Sequence, residues 1–285
     1  MDSTDLDLPM PTPTVPPKPL SSYKLISCDI YGTLIDWESS IISLLQKLTS
    51  RIPSSSSSSP NAIYRNSASG EGRTKLAGLF NHYEAALQSE QPSLLYGQLL
   101  TQVYLRMARD WDVSVDDEVK SEAENFGQSI GSWSAFADTV SACRRLSKHY
   151  RLVPISNVDR QSFGRTCAGP LKGIDFFAVY TAQDIGSYKP DLRNFEYLTR
   201  KVKEDAGVEK GEILHVAQSL FHDHRPAKQV GLSSVWINRQ GAGMGAAEGV
   251  KALHEKSEVG YAWRFGSLGE LADEVEKVFA EKGKR

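Results

Sequence analysis

The sequence predicts an α/β fold: a Rossmann-like, mostly parallel sheet whose first strand is followed by an inserted, all-helical domain. Three observations carry this expectation. Short apolar runs at 23–29, 151–156, 213–217 and 234–237 alternate, after residue 133, with stretches of helical period, the pattern of a parallel sheet covered on both faces. Between the first run and residue 131 only helical periodicity is found. The early runs end in polar side chains, at the strand ends where open parallel sheets bind ligands.

Residues 1–20 hold six of the 13 prolines and little that could be buried, so a disordered Pro-rich tail is expected there. Order begins near Tyr23, where YKLISCD reads as a buried strand closed by the turn-prone Tyr31-Gly32-Thr33. From Trp37 to Thr49, Ile41, Leu44, Leu45 and Leu48 recur at helical spacing. Six serines at 54–59, between Pro53 and Pro60, form a Ser-rich loop (53–60). Helical stretches 73–89, 93–110 and 116–131 complete an inserted domain predicted over 39–130, with the α/β core in two pieces, 21–38 and 131–285. In the second piece, helix 138–149 precedes strand 151–156 (RLVPIS), and helix 161–168 precedes a short strand at 176–180. Helix 191–206, strand 213–217 (ILHVA), helix 224–230, strand 234–237 (SVWI) and helix 268–281 follow. A domain inserted after the first strand overhangs the ligand-binding edge as a lid.

Composition excludes several classes. The 33 basic and 35 acidic residues nearly cancel at −2, which argues against nucleic acid or an anionic membrane surface as partner. No apolar stretch approaches the ~20 residues of a membrane helix, and the acidic, Pro-rich start lacks the pattern of a signal peptide. Cys28, Cys143 and Cys167 are odd in number, widely spaced and without a C-x-x-C pair, so a reduced, cytoplasmic location is expected.

Four polar features converge on one sheet edge: Asp29 after the first strand, Ser156-Asn157 after RLVPI, Lys189 in Ser187-Tyr188-Lys189-Pro190-Asp191, and Asp223 after ILHVA. An ionised, aimed carboxylate such as Asp29 is a competent nucleophile. Lys189 supplies the opposite charge that keeps it ionised, and Thr33 and the turn amides can donate to it. Ser156, with its own and Asn157's backbone N–H, can bind the anionic end of a substrate. Alone, Asp29 reads equally as a turn former and Lys189 as a solvated lysine; their register with the other features favours the chemical reading. His222 and His224 flank Asp223 in a metal-binding pattern, but only one further ligand is apparent and a helix start explains them. The glycine-rich stretch 241–249 lacks G-x-G-x-x-G spacing and reads as a surface loop. Cys28 points away from Asp29 across the strand and reads as a core residue. Tyr31, Trp37 and Phe195 are candidate pocket aromatics, and Arg144-Arg145 reads as a solvated face.

The order and spacing of these four features, over roughly residues 23–240, resemble the haloacid dehalogenase (HAD) superfamily. The resemblance implies the HAD fold with a helical cap. Phosphatases of that superfamily carry D-x-D at the first motif and acidic Mg²⁺ ligands at the fourth, where this chain has Tyr31 and Gln218. The first motif instead looks like the L-2-haloacid dehalogenase branch, which works without metal. That branch implies a hydrolase acting on a small anionic, (S)-2-haloacid-like substrate, with no cofactor. Asp29 would displace halide to form an ester, and water placed by Asp223 would hydrolyse it. Thr33 and Lys189 would complete the catalytic set, with Tyr31, Ser156, Asn157, Phe195 and Ser219 lining the substrate site. The chain departs from the branch in three places. No arginine stands at 79–87, where Glu84 is found; Phe195 replaces a tyrosine; and Gln218-Ser219-Leu220 replaces S-S-N. Two alternatives stay open: a Mg²⁺-dependent phosphatase of a small phosphate ester, and a non-catalytic homologue that binds a small anion. A homodimer is left open.

Overall fold

In the computed structural model, which describes residues 8–53, 60–67, 70–91, 94–239 and 247–284, the first strand, β1 (Leu25–Cys28), is the centre of the molecule. It pairs in parallel with β2 (Arg151–Ser156) on one side and β4 (Ile213–Ala217) on the other. β3 (Tyr180–Thr181), β5 (Ser233–Ile237) and β6 (Trp263–Phe265) complete a six-stranded sheet of order β3-β2-β1-β4-β5-β6, parallel throughout. Period-two alternation sorts the side chains. Ile26, Cys28, Leu214, Val216, Val235 and Ile237 join the large core on one face, while Leu25, Val153, Ile155 and Ile213 join the second core on the other. Cys28 therefore faces away from Asp29, as the strand parity predicts.

Helices cover both faces. α5 (Thr139–Leu146) and α11 (Leu268–Lys282) contribute Ala142, Leu146, Leu271 and Val275 to the large core. α8 (Arg193–Ala206) lays Phe195, Leu198 and Val202 on the other side. α6 (Arg160–Ala168), α7 (Ala182–Ile185), α9 (Arg225–Gln229) and α10 (Ala247–Glu255) fill the remaining crossovers. Between β1 and β2 lie the four longer helices α1 (Trp37–Ser50), α2 (Gly70–Glu90), α3 (Tyr96–Asp110) and α4 (Asp117–Gln128). Asp36 and Asp116 start α1 and α4 by accepting from Ser39 N at 3.1 Å and Val119 N at 2.9 Å. No helix among the described residues is long and apolar enough to cross a membrane.

Several expectations change. The short strand expected over 176–180 shrinks to Tyr180–Thr181, since the ladder to β2 forms only at Ile155 and Ser156. The helix expected over 224–230 forms as α9 (Arg225–Gln229), but it is preceded by an unforeseen π-turn, Leu220–His224, that Ser219 caps. Of the tail expected over 1–20, residues 1–7 lie outside the described residues and the rest is a further correction. Residues 8–20 lie along the sheet domain, with Arg264 Nη1 donating to Leu8 O (2.7 Å), Thr14 N to Gly260 O (2.8 Å) and Tyr150 Oη to Leu20 O (3.0 Å). Proline-rich chain needs few partners for its own backbone, and these side-chain and turn contacts supply them. The serine run 54–59, Gln240 and residues 241–246 of the glycine-rich stretch lie outside the described residues; residues 247–249 open α10.

α3 and α4 approach closely through glycines. A Cβ on Gly127 would meet Gly97 O at 2.4 Å and Thr101 Oγ1 at 2.2 Å. Gly127→Ala should therefore destabilise the chain by about 1–3 kcal/mol through overpacking. The check is a lower denaturant midpoint with an unchanged slope.

Candidate active site

Asp29 is the first residue past β1, and the turn that follows aims it. Leu34 N and Ile35 N both donate to Ile30 O, at 2.8 and 2.9 Å, and Gly32 takes φ +97°, a conformation costly for other residues. The turn returns Thr33 to the strand end, where its Oγ1 donates to Asp29 Oδ2 at 2.7 Å. Gln218 N donates to the same Thr33 oxygen at 2.9 Å, so the hydroxyl proton has one direction left to point. Arg239 fixes the turn from behind. Its guanidinium donates twice to Thr33 O (3.1 and 2.9 Å) and to Asp138 Oδ1 (2.6 Å), and stacks 4.1 Å from the Phe136 ring centroid.

The other carboxylate oxygen meets Lys189. The ammonium donates to Asp29 Oδ1 (2.8 Å), Asp223 Oδ1 (2.7 Å) and Ile155 O (3.1 Å), which uses all three of its protons. Lys189 is 3% exposed, Asp29 7% and Asp223 0%, so the three charges sit together out of water. Each contact supplies on the order of 6 kcal/mol at an effective dielectric near 20, against a desolvation cost of several kcal/mol per ion. The ammonium is stable here only because it serves both carboxylates. Asn157 holds the lysine's own backbone, donating from Nδ2 to Lys189 O (2.9 Å) and accepting at Oδ1 from Lys189 N (2.6 Å).

Asp223 sits on the π-turn after β4. Beneath it, His215 Nε2 lies 3.1 Å from Oδ1, and Ser27 Oγ lies 2.9 Å from His215 Nδ1. Burial works against ionising Asp223, but Lys189 and then His215 outweigh it and hold the carboxyl well below the usual carboxylate range. For Asp29, burial and the like charge of Asp223 prevail over Lys189 and Thr33, and its carboxyl is raised. Burial would lower the Lys189 ammonium, yet the two carboxylates raise it. Asp223 Oδ2 and Ser156 Oγ are buried without a hydrogen-bond partner.

Above this floor lies a cavity of about 300 Å³, lined by Asp29, Tyr31, Ser156, Lys189, Ser219 and Asp223 below. α2 covers it with Asn81, Glu84, Ala85 and Gln88, a set at helical spacing on one face. Trp37, Tyr96, Trp133 and Phe221 close the sides. Tyr96 Oη donates to Glu84 Oε1, and burial pushes the Glu84 carboxyl up to about 7 despite that bond.

The structure thus brings together Asp29, Thr33, Lys189, Asp223 and Ser156. It gives four predicted substrate contacts other work. Phe195 is wholly buried in the second core, its ring 5.2 Å from that of His215, and it does not reach the cavity. Asn157 lines the cavity but spends its amide on the Lys189 backbone. Ser219 lines it too, while its Oγ accepts from His222 N at 3.0 Å and caps the π-turn. Tyr31 turns its hydroxyl to Thr166 Oγ1 (2.8 Å) and packs edge-on to Trp133, so its ring forms the wall. His224 is buried between Ser234 Oγ and Ala217 O, both at 3.0 Å. Among the described residues no three His, Cys, Asp or Glu side chains gather as metal ligands. Sequence reasoning missed Arg239, His215, Ser27 and Tyr96. Only a polar residue inside an apolar strand, as His215 is in ILHVA, could have signalled any of them.

The raised Glu84 carboxyl has a sign that can be tested. Its folded value lies above the unfolded one, so the stability it contributes is complete at low pH and lost as pH rises through about 7. Glu84→Gln should therefore gain stability over the unmodified chain at pH 8 relative to pH 5, by about 2–3 kcal/mol at most. Denaturation at the two pH values checks this.

No protein-family model matches the sequence, and no curated protein matches it. Among solved structures, the chain is similar to the L-2-haloacid dehalogenase from Xanthobacter autotrophicus, at 18% identity and TM-score 0.62 over 89% of this chain and 98% of that one. That enzyme has also been solved with chloropropionic acid covalently bound, and superposes with a TM-score of 0.61 at 18% identity over the same shares, 89% and 98%. A defluorinating L-2-haloacid dehalogenase gives 14% identity and TM-score 0.64 over 92% of this chain and 100% of that one. At such identities the likeness is one of fold: the chain has the HAD fold of the L-2-haloacid dehalogenases, an α/β core with a helical cap.

Proposed function

We propose that the chain is a hydrolase that uses Asp29 as a covalent nucleophile, displacing halide from a small (S)-2-haloacid-like substrate. One observation carries this reading. Both oxygens of Asp29 are fixed, by Lys189 and by Thr33, at the floor of a cavity that also holds a second carboxylate. A buried carboxylate so restrained attacks in one direction, and much of the barrier to displacement is orientation. The similar dehalogenase with chloropropionic acid covalently bound gives this reading its chemical precedent.

In the first half-reaction an Asp29 oxygen attacks the halogen-bearing carbon in line, the carbon–halogen bond breaks, and halide leaves as the ester forms. Ser156 Oγ, unpartnered in the protein, donates to the substrate carboxylate. In the second half-reaction Asp223 Oδ2 accepts a hydrogen bond from a water and orients it as its oxygen attacks the ester carbonyl, one water proton going to the leaving hydroxyl and the other to solvent. The hydroxy acid leaves and Asp29 is regenerated. Esterification removes one negative charge, after which Lys189 answers to Asp223 alone and keeps it anionic while it holds the water.

The Mg²⁺-dependent phosphatase is the weaker reading, because the donor set does not fit a hard divalent ion. Tyr31 and Gln218 replace the expected carboxylates, and three of the four oxygens of Asp29 and Asp223 already accept from Lys189 or Thr33. The proposed reaction needs no cofactor.

Asp29→Asn should lower chloride release from (S)-2-chloropropionate by up to about six orders of magnitude, as for other deleted nucleophiles. Single turnover in ¹⁸O water should place the label on the Asp29 carboxylate. Label in the first-turnover product, with Asp29 unlabelled, would contradict the ester. Phosphatase activity abolished by a chelator, without halide release, would decide for the alternative; loss of ligand binding alone in Asp29→Asn would decide for a non-catalytic role. Because the raised Asp29 carboxyl must be ionised to attack, the halide-release burst should fail as pH falls, at a higher pH than for an ordinary aspartate. Asp223→Asn removes the like charge and should move that limb downward, as the pH profile of the burst would show.

A further inference from the structure

The cavity over Asp29 carries a charge balance that displacement chemistry alone does not require. Its floor sets two carboxylates, Asp29 and Asp223, against one ammonium. Its roof adds the carboxyl of Glu84. Burial pushes His222 on the wall down to about 4, so it adds no positive charge at neutral pH. Among the described residues no arginine and no second lysine lines the space. The same space is lined by four aromatic residues, Trp37, Tyr96, Trp133 and Phe221, of which Tyr96 bonds Glu84 directly. A carboxyl group among electron-rich rings, in a space with little water, is the environment that holds an organic cation. On the sheet side the buried Ser156 hydroxyl, 1% exposed and without a partner, is left to donate to an anion.

We propose that the cavity takes a small zwitterionic carboxylic acid, with its carboxylate at Ser156 and its alkylammonium group between Glu84 and the roof aromatics. Glu84 is then a specificity-determining residue. What happens to the bound molecule rests on the Asp29 hydrolase reading; which molecule binds does not. Glu84 is held in place for this role. Tyr96 Oη and Gln88 Nε2, the latter at 3.5 Å, both reach Oε1, and the residue lines the cavity. Burial moves that carboxyl up to about 7, and an entering ammonium would favour its ionised form. A halide or second carboxylate in the same place meets an acid and no cation.

Calorimetric titration of the full chain separates recognition from chemistry when the probes are unreactive. β-Alanine, γ-aminobutyrate and ε-aminocaproate are compared with propionate, butyrate and caproate at neutral pH. At least one amino acid should bind about tenfold more tightly than its alkanoate, the size expected of a shielded cation–π site with a carboxylate. Glu84→Gln should bring the amino acids down to the affinity of their alkanoates. Glu84→Asp, which retracts the charge by one methylene, should move the preference to the next longer amino acid. Equal affinities across the unmodified series overturn the proposal, and so does a preference that Glu84→Gln leaves intact or Glu84→Asp leaves at the same chain length. Chloride release from (S)-2-haloacids is measured separately. An ammonium preference without any halide release would sustain the recognition proposed here and remove the chemistry proposed above.

Discussion

One ammonium shared by two buried carboxylates sets the terms for the rest of this molecule. Lys189 reaches Asp29, Asp223 and Ile155 O together, and those groups come from β1, from the π-turn behind β4 and from the end of β2. Remove the lysine and two negative charges face each other in a space without water, a loss of about 3–5 kcal/mol in comparable buried pairs. The two carboxylates are not equivalent. Asp223 has His215 beneath it as a second partner, whereas Asp29 has the hydroxyl of Thr33. That inequality keeps Asp223 anionic and leaves Asp29 with the higher proton affinity. The division between the proposed attacking group and the proposed water-holding group follows from neighbours, not from residue type.

Much of this arrangement is visible in the letters of the chain. RLVPIS and ILHVA form strands with the predicted bounds, because parallel strands buried on both faces must be apolar almost without interruption. The four polar features are legible because each follows such a run, and the parallel order then places their ends on one edge. What escaped had no local signature. β6 is three residues long and half-buried, and stands as a strand only because β5 offers it an edge. Phe195, six residues after Lys189, lies on the core face of α8, a matter of helix rotation that spacing alone does not fix. Arg239 meets Thr33 across 206 residues of chain, and nothing near either residue announces the other.

The cap tells the complementary story. Asn81, Glu84 and Gln88 were readable as one face of a helix, but which way that face turned depended on how α2 packs on its neighbours. Packing of α3 on α4 through Gly97 and Gly127 is as close as backbone allows, which gives the helical domain a fixed shape from which to present that face.

The central position of β1 has a consequence for how such a molecule can diversify. Asp29 stands at the end of the strand with ladders on both sides, in the part of the sheet that opens last when a domain breathes. The α2 face over the cavity belongs to no ladder and sits on a single helix. Substitution at Asn81, Glu84 or Gln88 therefore changes the cavity roof while the strand end that carries Asp29 keeps its shape. On this plan, the proposed recognition could change by relettering one turn and a half of helix while the strand-end geometry around Asp29 is kept.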